Sequence, residues 1–205
     1  SVRDSLLGLH IKDLDIATSA SPDEVEHSFA KTLPVGKAFG TIVVIENGEP
    51  FEVTTFRSDG PYKDGRHPDW VRFTNMEEDA HRRDFTINAL FYDPETESLF
   101  DFVGGVKDLR HAKIKTVGRA EDRFLEDHLR MLRAVRFKAQ LGFDLCPVTM
   151  LAIKDLHAEL SAVSIERIFN ETKRLLESRY VSSGLSCLLE SQLYKVFWPE
   201  LKTLN

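Results

Sequence analysis

The sequence predicts an α+β fold, a small mixed or antiparallel sheet followed by an all-helical region. Three observations carry that expectation. β-Branched runs and a hairpin turn fall in the first hundred residues, helical periodicity takes over from residue 121, and 205 residues suffice for one large domain or two small ones. We place the domain boundary at 118/119, giving domains 1–118 and 119–205.

The elements follow in order. Ile11 to Thr18 reads as a short strand, and Ser21-Pro22-Asp23-Glu24 is a capping box with Pro at the first helical position, opening a helix to about Thr32. Ile42 to Ile45 is an apolar β-branched run, Asn47-Gly48 is a hairpin turn, and Phe51 to Arg57 is the returning strand. Residues 58–76 hold two Gly, two Pro and many charges, and read as a long, mobile connection. A helix is expected from Met76 or Glu77 towards Leu90, then a strand from Ser98 to Val103 closed by Gly104-Gly105. Helices follow at 121–141, 147–159, 164–178 and 182–194.

Composition excludes several classes. With 42% apolar and 29% charged residues the chain is of the ordinary soluble globular kind, and no apolar run approaches the roughly 20 residues of a membrane span. Two cysteines, Cys146 and Cys187, make neither a disulfide framework nor a zinc ribbon, and fit a reducing, cytoplasmic setting. Ser1 to Gly8 has no signal-peptide pattern, and without an initiator Met the chain reads as the middle of a longer protein. The net charge of −6 argues against a non-specific nucleic-acid coat. The charge is uneven, however: residues 1–30 carry two Lys/Arg against six Asp/Glu, and residues 110–138 carry nine against four. That asymmetry points to a metal site beside a polyanion site.

Four groups of residues can do chemistry. On a strand, period 2 sets Asp13 and Asp15 on one face, where a divalent cation with oxygen ligands would relieve their repulsion. An exposed edge strand with solvated acids would read the same way. Glu52, on the returning strand, is a candidate third carboxylate for a two-metal clamp or, equally, a partner for a cross-strand cation. Arg82-Arg83-Asp84 is either a phosphate clamp or a solvated polar face. In the run Glu126 to Phe137, a helix would set Asp127 beside Arg130 at i,i+3 and continue that ridge through Arg133 and Arg136, with Leu129, Leu132 and Phe137 apolar. Asp and Arg side by side match the donor and acceptor edge of a base; an ion-paired surface helix is the other reading. The seven His show no zinc spacing, and no G-x-S-x-G or P-loop pattern occurs.

Together these motifs resemble the class II tRNA nucleotidyltransferase and poly(A) polymerase family of the polymerase β superfamily. The residues that carry the resemblance are Ser1 to Gly8, Asp13 to Thr18, Glu52-Val53-Thr54-Thr55-Phe56-Arg57, Arg82-Arg83-Asp84-Phe85-Thr86-Ile87-Asn88-Ala89 and Glu126 to Phe137. It implies a nucleotidyltransferase head followed by a helical neck. It also implies template-independent, Mg²⁺-dependent addition of CCA, or of the terminal A, to the 3′ end of tRNA from CTP and ATP. Asp13 and Asp15 are implied as the metal-binding catalytic pair, with Glu52 a third acid. Arg3 and Arg83 are implied as triphosphate or ribose contacts, Asp127 and Arg130 as the base-reading pair, and Arg133 and Arg136 as supports for nucleotide binding. Glu166-Arg167 with Glu171 resembles a later motif whose helix steadies the base-reading one. The loop at 57–75 is implied to help switch specificity from C to A. Gly36 to Thr41 is more similar to CCA- or A-adding members than to bacterial poly(A) polymerases, and the full-length loop argues against CC-only addition. Two departures stand out: the family's strand ending in Gly-Gly would precede Ser1, and its tRNA-gripping helical domains would follow Asn205. A bacterial poly(A) polymerase and a non-catalytic RNA-binding module are the alternatives.

Overall fold

The computed structural model describes residues 2–11, 14–62, 65 and 68–204, and the architecture is α+β, as the sequence predicts. Packing divides the chain into two units, one of Ser1–Pro61, Pro68–Arg83 and Asn88–Val103, the other of Tyr62–His67, Asp84–Ile87 and Gly104–Asn205.

The first unit opens with α1 (Val2–Leu6), β1 (Asp15–Thr18), α2 (Pro22–Ser28), β2 (Thr32–Leu33), β3 (Thr41–Glu46) and β4 (Glu49–Thr55). The four strands form one mixed sheet in the order β1-β4-β3-β2, with β1 parallel to β4 and the other pairs antiparallel. Asn47 and Gly48, at φ 53° and 87°, supply the two left-handed residues that a tight β3–β4 hairpin needs. Alternation then sorts the faces. Ile42, Val44 and Val53 bury one face against Val25 of α2, which leaves Thr41, Val43, Glu52 and Asp15 on the other.

The capping box forms as expected: the Glu24 amide donates to Ser21 Oγ at 3.3 Å, and the Ser21 amide donates to Glu24 Oε2 at 2.7 Å. Ser21→Ala should cost about 1 kcal/mol, read as a lower denaturation midpoint; α2 covers the sheet face opposite Asp15 and Glu52.

Several boundaries differ from expectation. Strand β1 starts at Asp15 rather than Ile11, and α2 stops at Ser28 because Phe29 turns extended and the chain enters β2. The stretch 58–76 is not wholly unstructured. β5 (Arg57–Asp59) and β6 (Val71–Phe73) pair antiparallel within it, in a register that no local pattern announces. α3 (Met76–His81) ends well before Leu90: a 3₁₀ turn at Thr86–Asn88 follows, then β7 (Leu90–Asp93), which pairs with β8 (Ser98–Asp101). Gly104-Gly105 does not merely close that hairpin, since Gly104 is the N-cap of the next helix.

The second unit comprises α4 (Gly105–Arg110), β9 (Lys113–Ile114), α5 (Ala120–Glu126), α6 (Leu129–Leu141), β10 (Asp144–Leu145), α7 (Pro147–Leu156), α8 (Ile165–Leu176), α9 (Val181–Glu190) and α10 (Tyr194–Phe197). The sequence reading found the later helices but missed α4 and the parallel β9–β10 pair. α6 is the central element: Met131, Leu132, Ala134, Val135 and Ala139 are fully buried, and Phe85 meets Phe137 edge-on at 5.6 Å. Gly184 lets α9 lie close on α6, since a Cβ there would sit 2.6 Å from that of Ala139. Among the described residues no helix is long and apolar enough to cross a membrane.

Candidate functional site

In the first unit two candidate carboxylates share one sheet face. Asp15 and Glu52 are register partners on the parallel β1–β4 pair, so their carboxylates lie side by side on one exposed face. Neither carboxylate has a hydrogen bond or ion pair with any described residue. Like charges at neighbouring positions repel, and the donor set is two carboxylates of hard oxygen, which fits a divalent cation. Among the described residues no group of three or more His, Cys, Asp or Glu forms a metal cage. Asp13, the other member of the expected pair, lies outside the described residues.

A second cluster in the same unit gathers arginines. Arg3 Nη1 donates to Asn88 Oδ1 at 2.6 Å, and its other side pairs with Asp4 at 2.7 Å. Arg83 Nη1 donates to the Asn88 carbonyl at 3.2 Å, its Nε donates to Asp79 Oδ2 at 3.1 Å, and its guanidinium lies 4.5 Å from the centre of the Phe91 ring. Arg3 and Arg83, 85 sequence positions from Asn88 in one case and five in the other, thus meet on that one residue. Asn88 is part of the motif read from the sequence, but no role was expected of it. Two planar cationic forks held rigidly are suited to phosphate oxygens.

The base-reading candidates lie in the second unit, and here one expectation is corrected. Residues 121–141 are not one helix: α5 ends at Glu126, Asp127 is extended at φ −144° and ψ 105°, and α6 starts at Leu129. The break follows from Asp127 itself, whose Oδ1 accepts the Leu129 amide at 3.1 Å as an N-capping carboxylate does. The Arg130 amide donates to the Asp127 carbonyl at 3.0 Å in the first turn of α6, a backbone contact, while the two side chains take other partners.

Each of these side chains is oriented by a partner. Asp127 Oδ2 accepts Arg167 Nη2 at 2.9 Å. Arg130 Nη1 donates to Glu126 Oε2 at 2.6 Å and to the Arg123 carbonyl at 3.2 Å, with the Tyr62 ring centre 6.0 Å from its guanidinium. Arg133 Nε and Nη2 both donate to Asp84 Oδ2, at 2.9 and 2.8 Å. Burial works against the charge on Arg130 and Arg133, but neighbouring carboxylates, Asp84 foremost in both cases, outweigh it and push both pKa values up.

Arg136, expected as a support for nucleotide binding, is enclosed rather than on a solvated face. Its side chain is 6% exposed, Nε donates to Glu171 Oε2 at 2.5 Å, Nη1 donates to Gln140 Oε1 at 2.6 Å, and the Phe137 ring centre lies 4.0 Å away. Burial pushes its pKa down. A side chain so enclosed acts on its neighbours, through Glu171, which also lies 3.6 Å from Arg133. Arg167 and Glu171, both on α8, therefore tie that helix to Asp127, Arg133 and Arg136.

Sequence reasoning missed Asp79, Asn88, Glu126 and the pairing of Asp84 with Arg133. The i,i+4 spacings of Asp79 to Arg83 and of Glu126 to Arg130 were the available signals. Cys146 and Cys187 are free; burial raises both thiols, Cys187 to about 12, which makes neither a nucleophile at neutral pH.

Comparison with known proteins places this geometry. Residues 1–115 match the poly A polymerase head domain, and residues 142–204 match a probable RNA and SrmB binding site of polymerase A. The CCA-adding enzyme of Bacillus subtilis is 48% identical over 196 residues, 95% of this chain and 49% of the relative. That of Latilactobacillus sakei is 46% identical over 202 residues, 98% of this chain and 50% of the relative. Among solved structures, the Bacillus stearothermophilus CCA-adding enzyme in complex with CTP superposes with a TM-score of 0.86 at 46% identity, over 94% of this chain and 46% of that one. A tRNA nucleotidyltransferase complexed with a primer tRNA and an incoming ATP analog gives 0.79 at 28% identity, over 96% and 57%. The chain spans about half the length of the curated relatives it matches. With its first 115 residues matched from end to end by that head domain, the chain belongs to the poly A polymerase head-domain family.

Proposed function

We propose that the protein is a template-independent tRNA nucleotidyltransferase that adds CCA, or the terminal A, to tRNA 3′ ends from CTP and ATP. In functional terms residues 1–118 are its catalytic head, and residues 119–205 are a neck that reads the base and begins the RNA-binding region. The observation that carries the reading is the in-register pair of carboxylates, Asp15 and Glu52, with no partner among the described residues. The solved CTP complex at 46% identity supports the choice of substrate. The free thiols are consistent with the cytoplasm.

The reaction is a phosphoryl displacement. The 3′ hydroxyl oxygen attacks the α-phosphorus in line, the bond from that phosphorus to the bridging oxygen breaks, and pyrophosphate leaves as the hydroxyl gives up its proton. Asp13, Asp15 and Glu52 would hold Mg²⁺, which when bound favours the ionised hydroxyl and neutralises charge on the leaving group. Arg3 and Arg83 bind the triphosphate or ribose, and their fixed forks align the α-phosphate for attack. Asp127 and Arg130 read the Watson–Crick edge, Asp127 as acceptor and Arg130 as donor. Arg133 supports nucleotide binding beside them, and Arg136 does so by holding Glu171. A wrong base leaves buried polar groups unpaired, at roughly 1–3 kcal/mol per group.

The test is direct. tRNA lacking its 3′ end is incubated with the full chain, Mg²⁺ and each labelled nucleotide separately and together, and the products are sized. The reading requires growth that stops at the CCA end. Extension of arbitrary RNA with ATP alone would replace it by a poly(A) polymerase, the activity named by the matching head-domain family, and failure to bind nucleotide would leave an RNA-binding module. Arg130→Ala should reduce the CTP and ATP preference by about tenfold or more, and unchanged selectivity would remove Arg130 from base reading.

A further inference from the structure

Asp79 is a buried carboxylate for which the proposed chemistry has no use, since its side chain is 1% exposed and lies on α3 rather than on the carboxylate-bearing sheet face. Among the described residues its carboxylate meets two arginine side chains and one backbone amide. Oδ1 accepts Arg82 Nη2 at 2.6 Å, Arg82 Nε at 3.0 Å and the Arg57 amide at 3.2 Å. Oδ2 is left to Arg83, whose Nε and Nη2 lie 3.1 and 3.0 Å away. The two oxygens thus divide the work: one anchors the carboxylate to β5 and Arg82, the other aims Arg83.

A guanidinium has five N–H groups. Arg83 spends that of Nε on Asp79 and one of Nη1 on the Asn88 carbonyl, Nη2 lies 3.0 Å from the same Asp79 oxygen as an ion-pair contact, and the Phe91 ring lies against the guanidinium. Among the described residues, at least one N–H on each terminal nitrogen has no acceptor, on a side chain 29% exposed. That is the form of a preset two-pronged donor for an anion. Without Asp79 the same guanidinium would have a free edge and rotate about its long arm.

We propose that Asp79 is a positioning residue for nucleotide binding, one that orients the Arg83 fork towards the triphosphate or ribose oxygens without touching the nucleotide. The inference rests on the nucleotidyltransferase reading above. It predicts that Asp79→Asn, which keeps the shape but turns one acceptor into a donor facing an arginine, raises the nucleotide KM about tenfold or more, changes kcat by less, and leaves the CTP to ATP preference unaltered.

The deciding measurement is a double-mutant cycle in the full chain, with Asp79→Asn, Arg83→Ala and the pair compared by nucleotide KM and by thermal melting. If Asp79 acts through Arg83, Asp79→Asn adds less than about twofold to KM once Arg83 is Ala. An equal increase in both backgrounds, or no increase in the single variant, overturns the proposal. Should Asp79→Asn melt too low to assay, Asp79→Glu takes its place in the same cycle, since it keeps the charge but displaces the fork by one methylene. Outcomes for the broader reading are separate: an unsubstituted chain that neither binds nor incorporates CTP or ATP defeats the nucleotidyltransferase itself. An active chain whose KM rises with Arg83→Ala but not with either Asp79 variant defeats only the positioning role.

Discussion

Asp15→Ala and Asp13→Ala should each lower nucleotide incorporation by about 10³-fold or more, while tRNA binding stays within a few-fold of the unsubstituted protein. The size follows from what the carboxylates are asked to do. In phosphoryl transfer the protein contributes positioning and charge stabilisation rather than covalent chemistry, so losing the cation site removes most of the catalysis. The structure adds a second, opposite effect that separates this account from simple loss of fold. Asp15 and Glu52 lie side by side in register with no hydrogen bond or ion pair to another described residue, an arrangement that like-charge repulsion disfavours. Asp15→Asn should therefore raise the melting midpoint of the metal-free protein slightly while abolishing turnover. Mg²⁺ should stabilise the unsubstituted protein by mass action and have a smaller effect on the variant. Retained turnover, or equal stabilisation of both proteins by Mg²⁺, would refute the metal assignment.

What the sequence made legible is what local chemistry dictates. The Ser21–Glu24 capping box and the Asn47-Gly48 turn formed because the side chain or the φ angle required is set within four residues. Alternation in β4 separated Val53 from Glu52 as expected, and the register sets Glu52 beside Asp15. The α6 apolar face was readable for the same reason, with Leu129, Leu132 and Phe137 all buried as expected.

What was not legible depends on partners distant in sequence. The β5–β6 pair joins Arg57 to Phe73, and neither run is apolar or periodic enough to announce itself. Asp127 was read as one more helical position because its neighbours fit a helix, yet a side chain that caps Leu129 and pairs with Arg167 favours an extended backbone. Arg136 shows the limit of a charge ridge at three-residue intervals. That spacing describes one side of an isolated helix, but α8 packs there and encloses the third arginine with Glu171. A one-dimensional pattern cannot tell a charge that meets solvent from one that meets a counter-charge 35 residues away.

That enclosure makes Glu171 the position whose loss should cost the most stability. Its carboxylate and the Arg136 guanidinium are 7% and 6% exposed and 2.5 Å apart. Glu171→Ala removes one charge and leaves the other buried with, among the described residues, only Gln140 to accept from it, a change that typically costs about 3–5 kcal/mol. In a chain of this size that is a drop of about 10 °C in melting midpoint. Surface ion pairs such as Lys173 with Glu177, both more than 60% exposed, should by contrast contribute almost nothing. The mechanism has a sharper signature than the magnitude. Because the cost arises from the orphaned guanidinium rather than from loss of attraction, Arg136→Met combined with Glu171→Leu should be markedly less destabilising than Glu171→Ala alone. If the double variant is instead the less stable of the two, the pair itself holds α6 to α8, and burial of an unpaired charge is not what the single substitution measures. The same comparison locates the functional part: the double variant should fold yet handle nucleotide less well, since Arg133 loses the second of its two carboxylates and keeps only Asp84.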